Sequence, residues 1–440
     1  MVYSYHNMLF TIKFKEKKTM KKKLISIISM LLIMCLVLTG CGEDAGDDVI
    51  GGSTDTSDTE VDTTSDEKFV IGSFIPLSGD GAGATQLLQN SMELAAKYIN
   101  ETYGGIDGKE IEFLYYDTTS SSDEAAKLAV KLVEEDNIQY CIPSPMSTDI
   151  KASMETLTNA GVFTVVLGTS GSLLVDDNGD LADSADYIFR AALNANYSMP
   201  AFFDIIDDVD ATKIAVIYSQ EEVSVATKDS FVAELENHEG LELVAVESID
   251  SSDSDFTAQI SNVLEAEPDL IFTSVTGTTG VLWKQIRQMG YKNILIHKEV
   301  PSSEQIQIAG TGSEYLAFPT PYVTYTSIDD VTDEYMKWYL EMYEAEYGDL
   351  PTTDWGYRGW DAVMTMYYAA EAAGSSDPEA MKNAMDKVSF QGLGGTLDFT
   401  AGDHEGYKSF NAFITLDQKY YVVSDWLANG GLATYEEYIK

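Results

Sequence analysis

The sequence predicts an α/β protein built of two doubly wound parallel-sheet lobes. Three observations predict it. Short β-rich runs alternate with helical stripes from Lys68 onward, the alternation starts afresh near Lys213, and 440 residues are too many for one ordinary domain.

The elements follow in order. Phe69–Ile75 is a short strand. Leu88, Met92, Ala95 and Ile99 recur at helical spacing, and Gly104-Gly105 closes that helix. Ile111–Tyr116 is the next strand, and Ser121-x-x-Glu124 opens a helix with a capping-box pattern. Ala125, Leu128, Ala129, Leu132 and Val133 form its apolar stripe. Gln139–Ile142 and Val162–Leu167 are buried strands. The second series has strands at Lys213–Tyr218, Leu241–Ile249, Asp269–Val275 and Asn293–His297. Helices at Ser224–Leu235, Phe256–Ala266 and Thr278–Met289 separate them. Tyr335–Tyr347 and Gly359–Ala373 are amphipathic helices, and Phe410–Leu416 and Tyr420–Val423 are strand-like.

Ahead of this body, Lys21-Lys22-Lys23 precede an apolar run from Leu24 to Leu38, too short for a membrane span and suited to a signal-peptide core. Leu38-Thr39-Gly40-Cys41 resembles a bacterial lipobox, with the Cys41 thiol as the lipidation point. Met20 directly precedes the lysines, so a mis-start before residue 20 is one alternative, and an uncleaved anchor is another. Residues 42–67 are rich in Asp, Ser, Thr and Gly and are expected to be a disordered acidic tether. The expected location is the extracellular face of the bacterial cell membrane.

Charge and reactive residues narrow the function. The chain carries 72 Asp and Glu against 27 Lys and Arg. Such a surface repels phosphate backbones and anionic head groups, so nucleic acid is not an expected partner. Beyond Cys35 and Cys41, Cys141 stands alone in a strand-like run, so no internal disulfide is expected. No His-x-x-x-His or Cys-x-x-Cys pair indicates a metal site, and Asp253-Ser254-Asp255 is most simply a set of solvated caps. Gly79-x-Gly81-x-x-Ala84 follows a strand, but Pro76-Leu77-Ser78 intervene where a dinucleotide turn is immediate. Gly168-Thr169-Ser170-Gly171 is not a nucleophile elbow, because its serine is two residues after the glycine. No cofactor is expected.

In open parallel sheets, ligands sit beyond the carboxyl ends of the strands. The loops there are Pro76–Thr85, Pro143–Asp149, Gly168–Ser172, Ser219–Ser224, Thr276–Gly280 and Lys298–Ser302. They offer hydroxyls and backbone N–H groups but few acids, bases or nucleophiles. That composition suits holding a polar molecule better than transforming it.

Several segments then carry a family resemblance. Phe69-Val-Ile-Gly-Ser-Phe-Ile-Pro-Leu-Ser-Gly79, Glu93-Leu-Ala-Ala-Lys-Tyr-Ile-Asn100 and Gly104-Gly-Ile-Asp-Gly-Lys109 resemble the opening of type I periplasmic binding proteins, in the branched-chain amino acid (Leu/Ile/Val) ABC transporter substrate-binding family. Asp255-Phe-Thr-Ala258, Tyr347-Gly-Asp-Leu-Pro351, Gly359-Trp-Asp-Ala-Val363 and Phe390-Gln-Gly-Leu-Gly-Gly395 resemble its later signatures, in consistent order. The resemblance implies a leucine-binding-protein-like domain with a three-crossing hinge. One lobe would comprise residues 68–192 and 322–410, the other 193–321 and 411–440. It implies a monomer that closes on a small polar solute, an amino acid in the first instance, and delivers it to an ABC permease with its ATPase subunits.

By position, Ser147, with Pro145 and Met146 beside it, matches the loop that holds the ligand carboxylate. Gly168 and Ser170 match the next loop, with carboxylate and ammonium contacts. Glu299 matches the family's ammonium-binding glutamate, and Trp355 an aromatic pocket wall. The alternatives are helix caps for Ser147 and Ser170, a surface acid for Glu299 and ordinary core for Trp355. The chain departs from the pattern at Ala84, Val223 and Gly277, where amino-acid binders commonly carry tyrosines, and at His297-Lys298, where the family has a glycine. Those departures leave amides, urea and aromatic acids open as ligands. A sensor component and an extracellular Rossmann-like enzyme are the rival functions.

Cys41→Ser is expected to release the protein from the membrane fraction; retention of the variant there would count against lipidation.

Overall fold

The computed structural model describes residues 67–79, 82–325, 327–408 and 410–440. The leader, Cys41, the tether up to residue 66 and Gly81 lie outside the described residues. The first series runs β1 (Phe69–Ile75), α1 (Ala82–Tyr103), β2 (Ile111–Asp117), α2 (Ser122–Glu134), β3 (Tyr140–Cys141), α3 (Ser147–Asn159), β4 (Phe163–Val166) and β5 (Ile188–Arg190). Its five strands form a parallel sheet in the order β2-β1-β3-β4-β5, with Phe69 opposite Ile111 and Ile75 opposite Asp117.

The second series is α4 (Ala195–Asp208), β6 (Lys213–Ser219), α5 (Glu222–Leu235), β7 (Glu242–Ile249), α6 (Thr257–Glu265), β8 (Leu270–Ser274), α7 (Thr279–Gln288), β9 (Leu295–His297), α8 (Ser303–Ala309) and β10 (Leu316–Thr320). The chain then returns to the first lobe with α9 (Glu334–Tyr347), α10 (Trp355–Ala373), α11 (Pro378–Ala384) and the hairpin β11 (Ser389–Gly392) and β12 (Gly395–Asp398). It ends on the second with β13 (Asn411–Leu416), β14 (Lys419–Val422), α12 (Val423–Ala428) and α13 (Gly431–Ile439). The second sheet runs β14-β13-β10-β9-β8-β6-β7. It is parallel from β7 to β10 and antiparallel where β13 and β14 join its edge.

Both faces of each sheet are covered, which is why the strands read as continuous apolar runs and not as alternating ones. In β1, Ile71 and Ile75 pack into a core shared with α1, α9 and α10, while Phe74 points to the other face with Ala125 and Leu132 of α2. On the second sheet, Phe202 and Phe231 cover one face and Ile260, Leu282 and Trp283 the other. Cys141 is fully buried, and burial raises its thiol pKa, so it behaves as a small inert apolar side chain.

The expected capping box at Ser121 forms only by half. Ser121 Oγ accepts from the Glu124 amide at 3.4 Å, but the Glu124 carboxylate pairs with Lys127 at 3.0 Å. A reciprocal box forms instead at Ser302 and Gln305, opening α8. Helix α10 begins at Trp355, four residues before the periodicity placed it, because Gly356 and Tyr357 are already buried there.

The chain crosses between the lobes three times: from β5 into α4, from β10 toward α9, and from the β11–β12 hairpin into β13. The crossings are fastened by buried polar groups. Arg190 at the end of β5 is fully buried, and its Nε lies 3.1 Å from Glu405 Oε2 on the third crossing. Asn194, which caps α4, donates to Glu405 Oε1 at 2.9 Å. The backbone closes the junction, with Arg190 N donating to His404 O at 2.8 Å and Gly406 N donating to Arg190 O at 2.9 Å.

Helices α1 and α10 approach closely at Gly359. A Cβ there would stand 2.6 Å from Leu88 O and 2.9 Å from Met92 N, backbone atoms that cannot yield. Alanine ordinarily favours a helix over glycine by about 1 kcal/mol. Gly359→Ala is nevertheless expected to destabilise by ~1–3 kcal/mol through overpacking; a denaturant midpoint equal to or above wild type would contradict that packing.

Candidate functional site

The carboxyl ends of the first sheet's strands carry three segments that meet. Strand β4 ends at Val166, and the chain then turns through Leu167, Gly168, Thr169 and Ser170. Helix α3 begins at Ser147 beside it. Ser170 N donates to Ser147 Oγ at 3.2 Å. Gly168 is buried where a Cβ would stand 2.8 Å from Ser147 Oγ and 2.7 Å from Ile150 Cδ1, so only glycine lets the two segments touch. Gly171 is equally constrained, since its Cβ would fall 2.2 Å from Asn196 Oδ1. Pro145 is buried and Met146 exposed beside this junction.

Neither serine is a helix cap. Met146 occupies the cap position of α3 with no side-chain bond, and Asn194 caps α4. The first turn of α3 therefore keeps backbone donors near the Ser147 hydroxyl, and the positive end of the helix favours an anion there. Asp149, in the same turn, accepts from Ser122 Oγ at 2.8 Å.

Sequence reasoning missed two arginines behind this loop. Arg190 Nη1 donates to Ser170 O at 2.9 Å, fixing the loop from below. Burial lowers the Arg190 pKa, and the Glu405 charge opposes that effect. Arg358, one turn into α10, donates through Nη1 to Leu167 O at 3.2 Å and through Nε to Asp354 Oδ2 at 2.8 Å. Nothing in the spacing marked them, because α10 and the third crossing lie some two hundred residues along the chain. Trp355, at the start of α10, is half-buried and packs against the first lobe's core.

The glycine segment before α1 is held from β2. Asp117 accepts from the amides of Leu77 at 2.9 Å, Ser78 at 3.1 Å and Thr119 at 2.8 Å, and from Ser78 Oγ at 2.6 Å. The Ser78 hydroxyl, together with these amides, holds its carboxyl below the usual range against the opposing effect of desolvation. Gly79 takes φ +84°, with Ser120 Oγ 2.8 Å from where a Cβ would be.

On the second sheet the strand ends present a different chemistry. Ser219, Ser224 and Thr276 hydroxyls bond one another at 3.1 and 3.0 Å, and Ser219 Oγ accepts from Thr276 N at 3.0 Å. His297 is fully buried, and burial, aided by the Lys298 charge, lowers its pKa to about 3, so it is neutral at physiological pH. Lys298 is buried, and its Nζ lies 2.8 Å from Glu299 Oε1, while the Glu299 side chain is 48% exposed. Burial works to raise the Glu221 carboxyl, but the hydroxyls of Ser219 and Ser251 and the Lys298 charge outweigh it and hold the pKa low. Two carboxylates thus flank one ammonium at this edge.

Ser147, Gly168 and Ser170 are brought together; Glu299 belongs to the other lobe, at the matching end of its sheet. A groove of about 500 Å³ lies elsewhere, lined by Tyr325, Phe413, Tyr420, Val422 and Trp426 on the antiparallel edge of the second sheet. Its lining also includes the Lys419–Asp330 pair at 2.6 Å. Among the described residues, no group of three His, Cys, Asp or Glu side chains could hold a metal.

Residues 68–417 match the family described as periplasmic binding protein. A relative, the leucine-, isoleucine-, valine-, threonine- and alanine-binding protein of Pseudomonas aeruginosa, is 23% identical over 74% of this chain and 83% of its own length. Among solved structures, the branched-chain amino acid transporter substrate-binding protein of Streptococcus pneumoniae, in complex with isoleucine, superposes with a TM-score of 0.63 at 23% identity, over 81% of this chain and 98% of its own. A solute-binding protein of Rhodopseudomonas palustris, in complex with 4-hydroxybenzoate, superposes with a TM-score of 0.66 at 19% identity, over 81% and 95%. The two-sheet, three-crossing architecture is that of these proteins. This chain belongs to the periplasmic binding protein family, as a solute-binding protein and not an enzyme.

Proposed function

We propose that this chain is the lipid-anchored extracellular receptor of an ABC transporter, and that it takes an amino acid by closing its two lobes around it. The observation that carries the reading is the junction of Ser147 with the 168–170 loop. There a hydroxyl, the N-terminal turn of a helix and a glycine-permitted loop converge at the carboxyl end of a parallel sheet. These neutral donors suit a carboxylate, each bond to a charged group contributing roughly 1.5–3 kcal/mol.

Glu299 and Glu221 flanking Lys298 leave the second lobe's edge with an excess negative charge, which suits an ammonium. A zwitterion bridging the two edges would favour the closed arrangement over the open one. Micromolar affinity, about −8 kcal/mol, is within reach of such a set of contacts. Attachment through Cys41 and the acidic tether would keep the receptor beside its permease.

A second reading has its own support. Lys298 already occupies one Glu299 oxygen, and the R. palustris neighbour holds an aromatic acid with no ammonium. An aromatic or amide ligand would use the first lobe's donors and leave Glu299 idle.

A thermal-shift screen separates the two. L-Isoleucine at a hundredfold excess over Kd is expected to stabilise by about 2.7 kcal/mol. Glu299→Ala is expected to weaken isoleucine tenfold or more by calorimetry, about 1.4 kcal/mol. Binding of 4-hydroxybenzoate but not isoleucine, untouched by Glu299→Ala, would overturn the amino-acid reading and support the second. Ser147→Ala is expected to weaken either ligand; unchanged affinity for whichever binds would remove the first-lobe junction from the site.

A further inference from the structure

Asp361 lies in the middle of α10 and is fully buried. Its carboxylate is not part of the strand-end junctions above. Instead it gathers segments that run between the lobes. Tyr322, two residues past β10 on the second crossing, donates its hydroxyl to Asp361 Oδ2 at 2.6 Å. Tyr407, on the third crossing, donates to the same oxygen at 2.6 Å. The two hydroxyls are 3.1 Å apart. The other oxygen, Oδ1, accepts from Leu393 N in the β11–β12 turn at 3.0 Å. Gly394 N completes the set by donating to the Tyr407 hydroxyl oxygen, 3.1 Å away. Gly392 leaves room for this approach, since a Cβ there would stand 2.8 Å from Asp361 Oδ1.

Both tyrosines are themselves buried and stand edge-to-face, with ring centroids 5.7 Å apart. Tyr322 also stacks on Tyr357 in the first turn of α10. The second crossing is further stiffened by Thr320, whose Oγ1 donates to Tyr322 O at 2.8 Å. The third is tied to the first through Glu405, two residues from Tyr407, as described above. One carboxylate on the first lobe thus holds two of the three strands of the hinge, and the third strand is bound to one of those two.

We propose that Asp361 is the positioning residue of the hinge: its ionised carboxylate clasps the second and third crossings to α10, so that lobe closure bends the chain only beyond Tyr322 and Tyr407. This rests on the reading of the chain as a closing clamp. The clasp requires the ionised form. A proton on the carboxyl makes it a weaker acceptor, and so loosens its hold on the tyrosine hydroxyls and the Leu393 amide. The groups facing Asp361 are Tyr322, Tyr407 and the 393–394 amides, with Tyr335 and Tyr339 of α9 also close enough to feel its charge. Burial raises the Asp361 pKa to about 6, while those hydroxyls and amides pull it down. The sign follows. The folded state holds the proton more tightly than the unfolded chain, so acidification toward pH 5 favours folding through this group while it unlatches the crossings. A merely structural carboxylate would not move stability and hinge order in opposite directions.

The test uses the full chain without ligand, by hydrogen exchange corrected for the intrinsic rate at each pH. Asp361→Asn is expected to speed exchange at residues 321–325 and 405–410 severalfold at pH 7.5, leaving the strands of both sheets as protected as in wild type and the melting temperature equal or higher. Wild type should show the same loosening between pH 7.5 and 5.5, and Asp361→Asn should not. Tyr407→Phe, which keeps the ring and removes one donor, should loosen both crossings at pH 7.5. Unchanged exchange in the crossings in both variants, or loosening spread equally over the sheets, would overturn the clasp. Calorimetry with L-isoleucine runs in parallel. No binding in wild type would count against the amino-acid reading alone, because the exchange measurement needs no ligand.

Discussion

Two lobes with separate cores are held in one molecule by three lengths of backbone, and the buried polar bonds among those lengths are the constraint on which the rest depends. A polar group in such a place is costly unless it is paired. The Asp361–Tyr322–Tyr407 set meets that condition with residues from distant parts of the chain, and the Arg190–Glu405–Asn194 set meets it in part, through the Arg190–Glu405 charge pair and the Asn194 bond. Apolar packing at the crossings would also bury surface, but it is non-directional and would not fix which atoms meet. Directional bonds place each crossing, and so place the two strand-end edges where the proposed ligand contacts lie.

The two edges differ in chemistry. The first lobe offers hydroxyl and amide donors, with its two arginines neutralised by Glu405 and Asp354 behind the loop and aimed at backbone carbonyls. They stiffen the Leu167–Ser170 turn without turning the pocket into a strongly cationic one. The second lobe carries Lys298 between two glutamates, over a histidine kept neutral by burial. Under the proposed function, donors on one side and excess negative charge on the other would discriminate ligands by charge pattern.

Much of this was legible in the sequence. The alternation of apolar runs with helical stripes located the two sheets, because strands covered on both faces must be continuously apolar. Ser147 and Gly168–Ser170 were visible as polar loops at strand ends, and the structure joins them. What was not legible were contacts between residues far apart in the chain. Arg190 and Arg358 look like ordinary cations until the fold buries them beneath Ser170 and Leu167. Asp361 looks like one acid among seventy-two until two tyrosines from separate crossings donate to it. A short element was also missed, since the three residues of β5 are too few to show a period. A helix start was misplaced where no side chain caps it, as at Asp354 before α10.

The central claim is that the lobes move against one another about this fastened hinge when solute enters. Small-angle X-ray scattering on the protein with and without the compound that most raises its melting temperature tests it most directly. The account predicts a radius of gyration that falls on saturation and a maximum dimension that shortens with it. An unchanged scattering profile at a ligand concentration where calorimetry shows the site full would contradict it.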